Sequence, residues 1–303
     1  MSHSFLKESK LYIVYGGNKY RIYTTTALNF SQSFAEDSYP VKTLHDQSKM
    51  MEGTTITKAN PAEFSFDVPL TVEKDESIVM DLLSDLVATS ESDIETQQLK
   101  SFDMYVQTGS STFKVDECVI TSATFNFNPR EQFKVSLQGQ GIKLTREGDE
   151  TFTIPGNAQS ESSSRTPLLT YPVVTLDSSD INAILSVTLT IQNDIEWNPY
   201  ETLQKSQNGD MMFPSAYVVQ KRTASGAVRQ YQLDNNITNF DDFSTNSNLI
   251  IKAKTSSGND YWTINLNPVM YTARMEVEDY YTQTYDFRCL DNTALGTRIT
   301  TYS

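Results

Sequence analysis

The strongest constraint on this chain is that one order of features runs through it twice. Leu28-Asn-Phe30-Ser-Gln-Ser-Phe34 alternates apolar and polar residues and leads through Tyr39-Pro40 to Thr43-Leu44. Val187-Thr-Leu189-Thr-Ile191 alternates in the same way and leads through Asn198-Pro199 to Thr202-Leu203. Pro40 and Pro199, Thr43 and Thr202, and Leu44 and Leu203 all share an offset of 159 residues. A methionine pair follows in each half, Met50-Met51 and Met211-Met212, and then a proline that leads into a strand pattern, Pro61 to Phe66 and Pro214 to Val219. Met104 to Phe113 and Ile251 to Tyr261 each read as two strands around a Ser/Gly turn. Each half ends on a long alternating run and a closing strand: Val119 to Phe127 with Phe133 to Leu137, and Val269 to Val277 with Tyr285 to Cys289. Five matches in one order point to a duplicated unit, and a repeat on this scale governs the whole fold. Gly156 to Thr166 (GNAQSESSSRT) is rich in Ser and poor in apolar residues, so it reads as a linker. The expected organisation is a first domain over 1–155, a linker over 156–166 and a second domain over 167–303.

Period-two alternation makes each half a mainly β unit, a small antiparallel sandwich or barrel of about seven strands. The clearest helix is Glu76 to Val87, where Ile78, Val79, Leu82, Leu83 and Leu86 form an apolar stripe and Asp75 and Glu76 suit the N-terminus. Asp234 to Asn248, at the matching place, is polar and rich in Asn, so the helix is expected to flank the first copy only. Ala216 to Leu233 reads as a hairpin around Ala224-Ser-Gly226-Ala. Fifteen Phe, sixteen Tyr and two Trp within 38% apolar residues are enough to bury a core. No apolar run nears the roughly 18 residues of a membrane-spanning helix, and Met1 to Lys10 lacks the apolar stretch of a signal peptide. The expectation is a soluble protein that matures in a cytoplasm. Cys118 and Cys289 belong to no CxxC pair and are expected to be small buried hydrophobes.

Catalytic chemistry is hard to assemble from these residues. The histidines are His3, near the start, and His45, in a polar loop beside Asp46. There is no GxSxG elbow, Walker A loop or GxGxxG, and Gly139-Gln-Gly141 is a glycine pair at a strand end. Glu36-Asp37, Asp149-Glu150 and Asp241-Asp242 fall in expected loops, where solvation accounts for them, and no loop gathers the oxygen ligands calcium takes. The reading is a binding or structural protein without catalytic residues, metal or cofactor. With 24 basic and 38 acidic residues the net charge is -14, which disfavours a grip on phosphate backbones.

The long strands carry the functional signal. Val187, Leu189 and Ile191 share one face with Ile195 and Trp197, and the other face is Thr188, Thr190, Gln192, Asp194 and Glu196. Val269, Tyr271, Ala273, Met275 and Val277 oppose Thr272, Arg274, Glu276 and Glu278. In the first half the polar positions are Asn29, Ser31 and Ser33 on one strand and Ser122, Thr124, Asn126 and Asn128 on the other. Each half is expected to build a two-strand sheet with one hydrophilic, neutral-to-acidic face. Such a face is either an ordinary solvent face or the wall of a water-filled channel.

Together with the duplication, these strands, the long loop Glu36 to Pro61, the helix and the final hairpins resemble bacteriophage tail tube (major tail) proteins. The resemblance implies a β-sandwich with a flanking helix whose long strands enter an inner barrel, six domains per ring, the rings stacked into a tube that conducts DNA from the virion tail into the host. It implies homotrimeric rings acting as pseudo-hexamers, assembled in the host cytoplasm. It also implies tape measure, baseplate or tip and tail terminator partners, and a sheath if the tail contracts. The polar positions above would line the lumen in transient, non-sticky contact with DNA. Arg274, the one basic residue among them, would be blunted by Glu276. Leu28, Phe30, Phe34, Phe125, Phe127, Met275 and Val277 would be core, and Pro40, Leu44, His45, Met50 and Met51 would sit in a loop reaching the neighbouring ring. Two other readings stay open. One is a tube initiator, completion protein or contractile-injection tube subunit; the other is a carbohydrate-binding β adhesin using Tyr12, Tyr15, Tyr261, Trp262, Tyr280 and Tyr281 as a platform.

Overall fold

The computed structural model describes residues 9–24, 28–39, 53–73, 75–84, 86–87, 98–128, 131–162, 164–166, 168, 171–198, 212–232, 243–255, 258–277, 280–289 and 299–301. It is mainly β. The first half runs β1 (Lys10–Tyr15), β2 (Asn18–Ile22), β3 (Asn29–Ser31), β4 (Phe34–Tyr39), β5 (Gly53–Ala59), β6 (Ala62–Pro69), helix α1 (Ser77–Ser84), β7 (Leu86–Val87), β8 (Gln98–Leu99), β9 (Phe102–Gln107), β10 (Thr112–Phe127), β11 (Lys134–Gly141) and β12 (Leu144–Gly148). After β13 (Asn157–Ala158) come β14 (Tyr171–Leu176), β15 (Ser179–Ile181), β16 (Ile184–Trp197), β17 (Tyr217–Tyr231), β18 (Phe243–Lys254), β19 (Asp260–Val277), β20 (Tyr281–Cys289) and β21 (Ile299–Thr301).

One large sheet runs in the order β3-β6-β11-β10-β16-β17-β20-β19-β18-β14-β15, antiparallel throughout. The N-terminal part of β10 leaves it to pair with β9 and β12, and β9-β1-β2 continue a second layer. No described pairing joins β3 to β15, so the large sheet stays open and the architecture is sandwich-like. The order β3-β6-β11-β10 in the first half and β16-β17-β20-β19 in the second is the same. β10 then meets β9 and β12 as β19 meets β18 and β21. Registers agree too: Phe66 faces Leu137 and Leu137 faces Ala123, while Val228 faces Tyr285 and Tyr285 faces Ala273.

Three expected features differ. Tyr217–Tyr231 is one continuous strand with Gly226 in its middle, where a hairpin was expected. Its matching partner is also displaced: Phe30 faces Phe64 and Leu189 faces Gly226, so Pro61 to Phe66 corresponds to a stretch beginning at Thr223, nine residues beyond Pro214. The helix ends at Ser84, and Leu86 and Val87 pair with β8. Glu76, read from sequence as suiting the helix N-terminus, is buried just before it, accepting from the Thr71 hydroxyl at 2.8 Å and from Arg165 at 2.7 Å. Arg165 lies in the Ser-rich segment, which is thereby tied to the first half. Ser162 donates to Asp75 and Thr166 to Glu73, and β13 pairs in parallel with β2.

The main core is one cluster that spans both halves. Phe125 of β10 stacks toward Trp262 of β19 with ring centroids 4.8 Å apart, and the buried Tyr261 hydroxyl donates to the Thr71 carbonyl at 2.6 Å. Cys118 is buried as expected and Cys289 is half-buried. The halves solve one packing problem with the residues exchanged: Phe64 lies over Gly139 in one, and Phe287 lies over Gly226 in the other. A Cβ on Gly226 would sit 2.0 Å from the Thr188 carbonyl oxygen and 2.8 Å from the Phe287 ring. Backbone on one side and a core ring on the other leave little room to yield, so Gly226→Ala is expected to cost about 1–3 kcal/mol. Chemical denaturation of the purified variant reads this as a lowered midpoint with an unchanged slope.

Candidate functional site

Alternation along eight paired strands sends polar side chains to one face and apolar ones to the other. At the junction between the halves Ser122 faces Gln192, Thr124 faces Thr190 and Asn126 faces Thr188. The two threonine hydroxyls lie 3.4 Å apart, and the Ala227 N–H donates to the Thr188 hydroxyl at 3.2 Å. Between these positions stand Ala123, Phe125, Phe127, Val187, Leu189 and Ile191, all buried in the core. The face continues outward on one flank through Gln138, Ser136 and Lys134 to Ser65, Glu63 and Asp67, and then to Asn29 and Ser31 on β3. On the other flank it continues through Thr223, Ser225 and Arg229 to Asp286, Arg288, Thr272, Arg274 and Glu276.

The described strands therefore bring together Asn29, Ser31, Ser122, Thr124, Asn126, Thr188, Thr190, Gln192, Arg274 and Glu276. Ser33, just past β3, is exposed and accepts from the Asn60 side chain and backbone at 2.8 and 2.9 Å. Asp194 and Glu196 lie beyond the end of the β10 pairing, on the extension that β16 makes with β17, facing Lys221 and Val218. Glu278, Pro40, Leu44, His45, Met50 and Met51 lie outside the described residues.

Charge on this face is balanced. Sequence alone picked out Arg274 as its one basic residue because the face was read from β3, β10, β16 and β19 only. Strands β6, β11, β17 and β20 add Lys134, Arg229 and Arg288 and the carboxylates Glu63, Asp67 and Asp286, beside Glu276 of β19. Arg274 Nε lies 3.4 Å from Asp286 and 3.8 Å from Glu276, Arg229 lies 3.7 Å from Glu276, and Lys134 lies 3.7 Å from Asp67. Pairs this exposed contribute little to stability, but Arg274, Arg229 and Lys134 each stand within 4 Å of a carboxylate. The acidity of the chain is thus not concentrated here.

Other candidates are dispersed. Tyr261 and Trp262 are core residues, while Tyr280 and Tyr281 are exposed, so the six aromatics form no common platform. Among the described residues no group of three or more His, Cys, Asp and Glu could hold a metal ion. Sequence reasoning also missed the β16–β17 extension as a packing element. Trp197 donates to Gln140 at 2.8 Å and Tyr217 donates to the Leu99 carbonyl at 3.0 Å. Val219 packs with Leu99 and Val119. Burial there pushes the Tyr217 phenol up to about 12, against the opposing effect of its bond to Leu99. The aromatics in an otherwise polar run were the available signal.

No helix among the described residues is long and apolar enough to cross a membrane. A search of curated proteins finds no match. Residues 1–296 match the model of the Bacteriophage Baseplate Tube Protein Family, a description that agrees with a mainly β chain presenting a broad, charge-balanced polar sheet face. The chain belongs to that bacteriophage baseplate tube family, which makes it a structural protein of the phage tail.

Proposed function

We propose that this protein forms rings around an aqueous bore, with the polar face of its large sheet as the inner wall, and that stacked rings make a conduit for DNA in the phage tail. The observation that carries the reading is the continuity of the face through β10 and β16. Two strand sets of equal order contribute to one wall, as two ring positions would. In this reading the halves are copies of one tube domain, so a trimer supplies six domains. Three chains of eight strands at about 4.8 Å spacing and about 40° tilt close at a backbone radius of about 24 Å, leaving a bore of roughly 35–40 Å between side chains. That is wider than a DNA duplex. The wall residues carry hydroxyls, amides and charges of both signs, with Arg274, Arg229 and Lys134 beside carboxylates, so they offer no stripe of cations for counterion-releasing phosphate contacts. Tape measure, terminator and baseplate proteins would meet the ends of such a tube, and a sheath its outside in a contractile tail. Catalysis has no place in this role.

The family description favours the baseplate end of the tube over its long middle part. Electron microscopy of concentrated protein distinguishes the two: rings or short stacks fit a baseplate segment, and long tubes fit the main tube. Single particles without rings at every concentration would contradict both.

The wall also makes a charge prediction. Thr124→Lys with Thr190→Lys places unpaired cations at the middle of the face, and assembled variant should retain duplex DNA with an affinity that falls steeply as salt rises. Wild-type assemblies should retain none at about 0.15 M salt. Fluorescence anisotropy of labelled DNA measures both.

A further inference from the structure

Among the described residues, the junction inside the chain has two unfilled counterparts, on β19 and on β3. At the junction, β10 pairs with β16 so that Phe125 faces Leu189 and Phe127 faces Val187, and all four side chains are buried. β19 occupies the place of β10 in the second half, held on β20 in the register that β10 has on β11. Likewise β3 occupies the place of β16, held on β6 in the register that β16 has on β17. Along a strand, the side to which N–H and C=O turn alternates in step with the side-chain face. Matching faces and registers therefore give β19 the outward groups of β10, and β3 those of β16. Among the described residues, Ala273 to Val277 on the side away from β20, and Asn29 to Ser31 on the side away from β6, have no strand partner.

Exposure marks the same edges. Met275 and Val277 are 56% and 66% exposed, whereas their counterparts Phe125 and Phe127 are 0% and 2% exposed. Both were expected in the core from alternation, and both lie on the core side of a strand that no described strand pairs on that edge. Phe34, also expected in the core, is 43% exposed on β4, and Ile56 of β5, opposite Glu36, is 50% exposed. β4–β5 stands where the β16–β17 extension stands in the second half. That extension is covered through Trp197, Tyr217 and Val219 against the first half, while β5 is exposed from Thr54 to Lys58 and buried only at its end, where the Ala59 N–H donates to the Met212 carbonyl.

We infer that β19 of one copy pairs antiparallel with β3 of a second copy in the register of the β10–β16 junction, placing Arg274 opposite Ser31, Met275 opposite Phe30 and Glu276 opposite Asn29. The β4–β5 arm of the second copy then lies on the second half of the first, covering apolar surface as the β16–β17 extension does within a chain. Phe243, 67% exposed at the start of β18 and paired with Thr272 beside the open edge, is in position to receive it. No like charges meet across the seam. The interface is head-to-tail, with different edges on the two copies, so repetition closes a ring by rotation. The inference rests on the ring reading above and adds the partner, the edges and the register.

Cysteine pairs test the register. Cys289→Ser removes the half-buried thiol, and burial pushes the Cys118 thiol well up, keeping it unreactive. In this background, chains carrying Arg274→Cys are mixed with chains carrying Ser31→Cys and oxidised mildly. Directly opposed residues lie within disulfide reach, whereas pairs two residues along are about 7–8 Å apart and do not. Disulfide-linked dimers should therefore form at least about tenfold faster than with Thr272→Cys or Glu276→Cys in place of Arg274→Cys. Circular dichroism of each chain excludes misfolded variants, which are replaced by Met275→Cys with Phe30→Cys and the slipped partner Ala273→Cys. Rings on the grid with linkage favouring a slipped pair, or with no linkage, overturn the seam and leave the ring reading standing. Chains that stay monomeric at every concentration overturn both, and assign the open edges to a different protein.

Discussion

The antiparallel pairing of β10 with β16 is the contact on which the rest of the structure depends. It joins two sheets of equal order into one, sets their polar residues on one face and buries Phe125, Phe127, Val187, Leu189 and Ile191 on the other. Without it each half would expose a strand edge and a row of apolar side chains, a combination that invites uncontrolled pairing. Trp262 adds to the same junction from β19, packing against Phe125 and Phe133, so the two halves share a core and not merely a tether. The Ser-rich segment between them follows suit. Its polar composition reads as freedom, but Arg165 reaches Glu76 and stands over the Tyr23 ring at 3.2 Å, which fixes it to the first half.

Much of the local structure was legible in the sequence. Alternation located the long strands, the Ser/Gly turns located the β9–β10 and β18–β19 hairpins, and the apolar stripe located α1. Pairing partners were harder, because alternation says which face a residue takes and not what lies beside it. The match of Pro61 to Phe66 with Pro214 to Val219 failed for a definite reason. A slip of nine residues should invert the faces, but β17 carries an extra residue, Gln220, opposite the Asp194–Ile195 step. That bulge restores the parity and lets a wrong alignment keep its pattern. The hairpin expected at Ala224-Ser-Gly226 failed because small residues there make room for the Phe287 ring, not for a turn.

The polar face was foreseen in part. Its neutral centre, Ser122, Thr124, Asn126, Thr188 and Thr190, is as alternation placed it. Its charge balance was not foreseen, because Arg229 belongs to a strand brought beside β20 only by long-range pairing, and because the polar positions of the closing hairpin strand, Asp286 among them, were not read as part of the face. The same limit applies to Met275, Val277 and Phe34. Sequence assigned them to an apolar face, and only the sheet order reveals that they are exposed at the two ends of the eight-strand face. An interior junction and two edges of the same design, unpaired among the described residues, underlie the proposal that assembly repeats a contact the chain already contains.

Hydrogen exchange on the isolated chain and on assembled rings tests that claim most directly. Amides of Ser122 to Phe127 and Val187 to Gln192 should be protected in both states, while those of Ala273 to Val277 and Asn29 to Ser31 that point away from β20 and β6 should exchange freely in the chain and become protected in the ring. Edge amides that exchange equally fast before and after assembly would contradict the account.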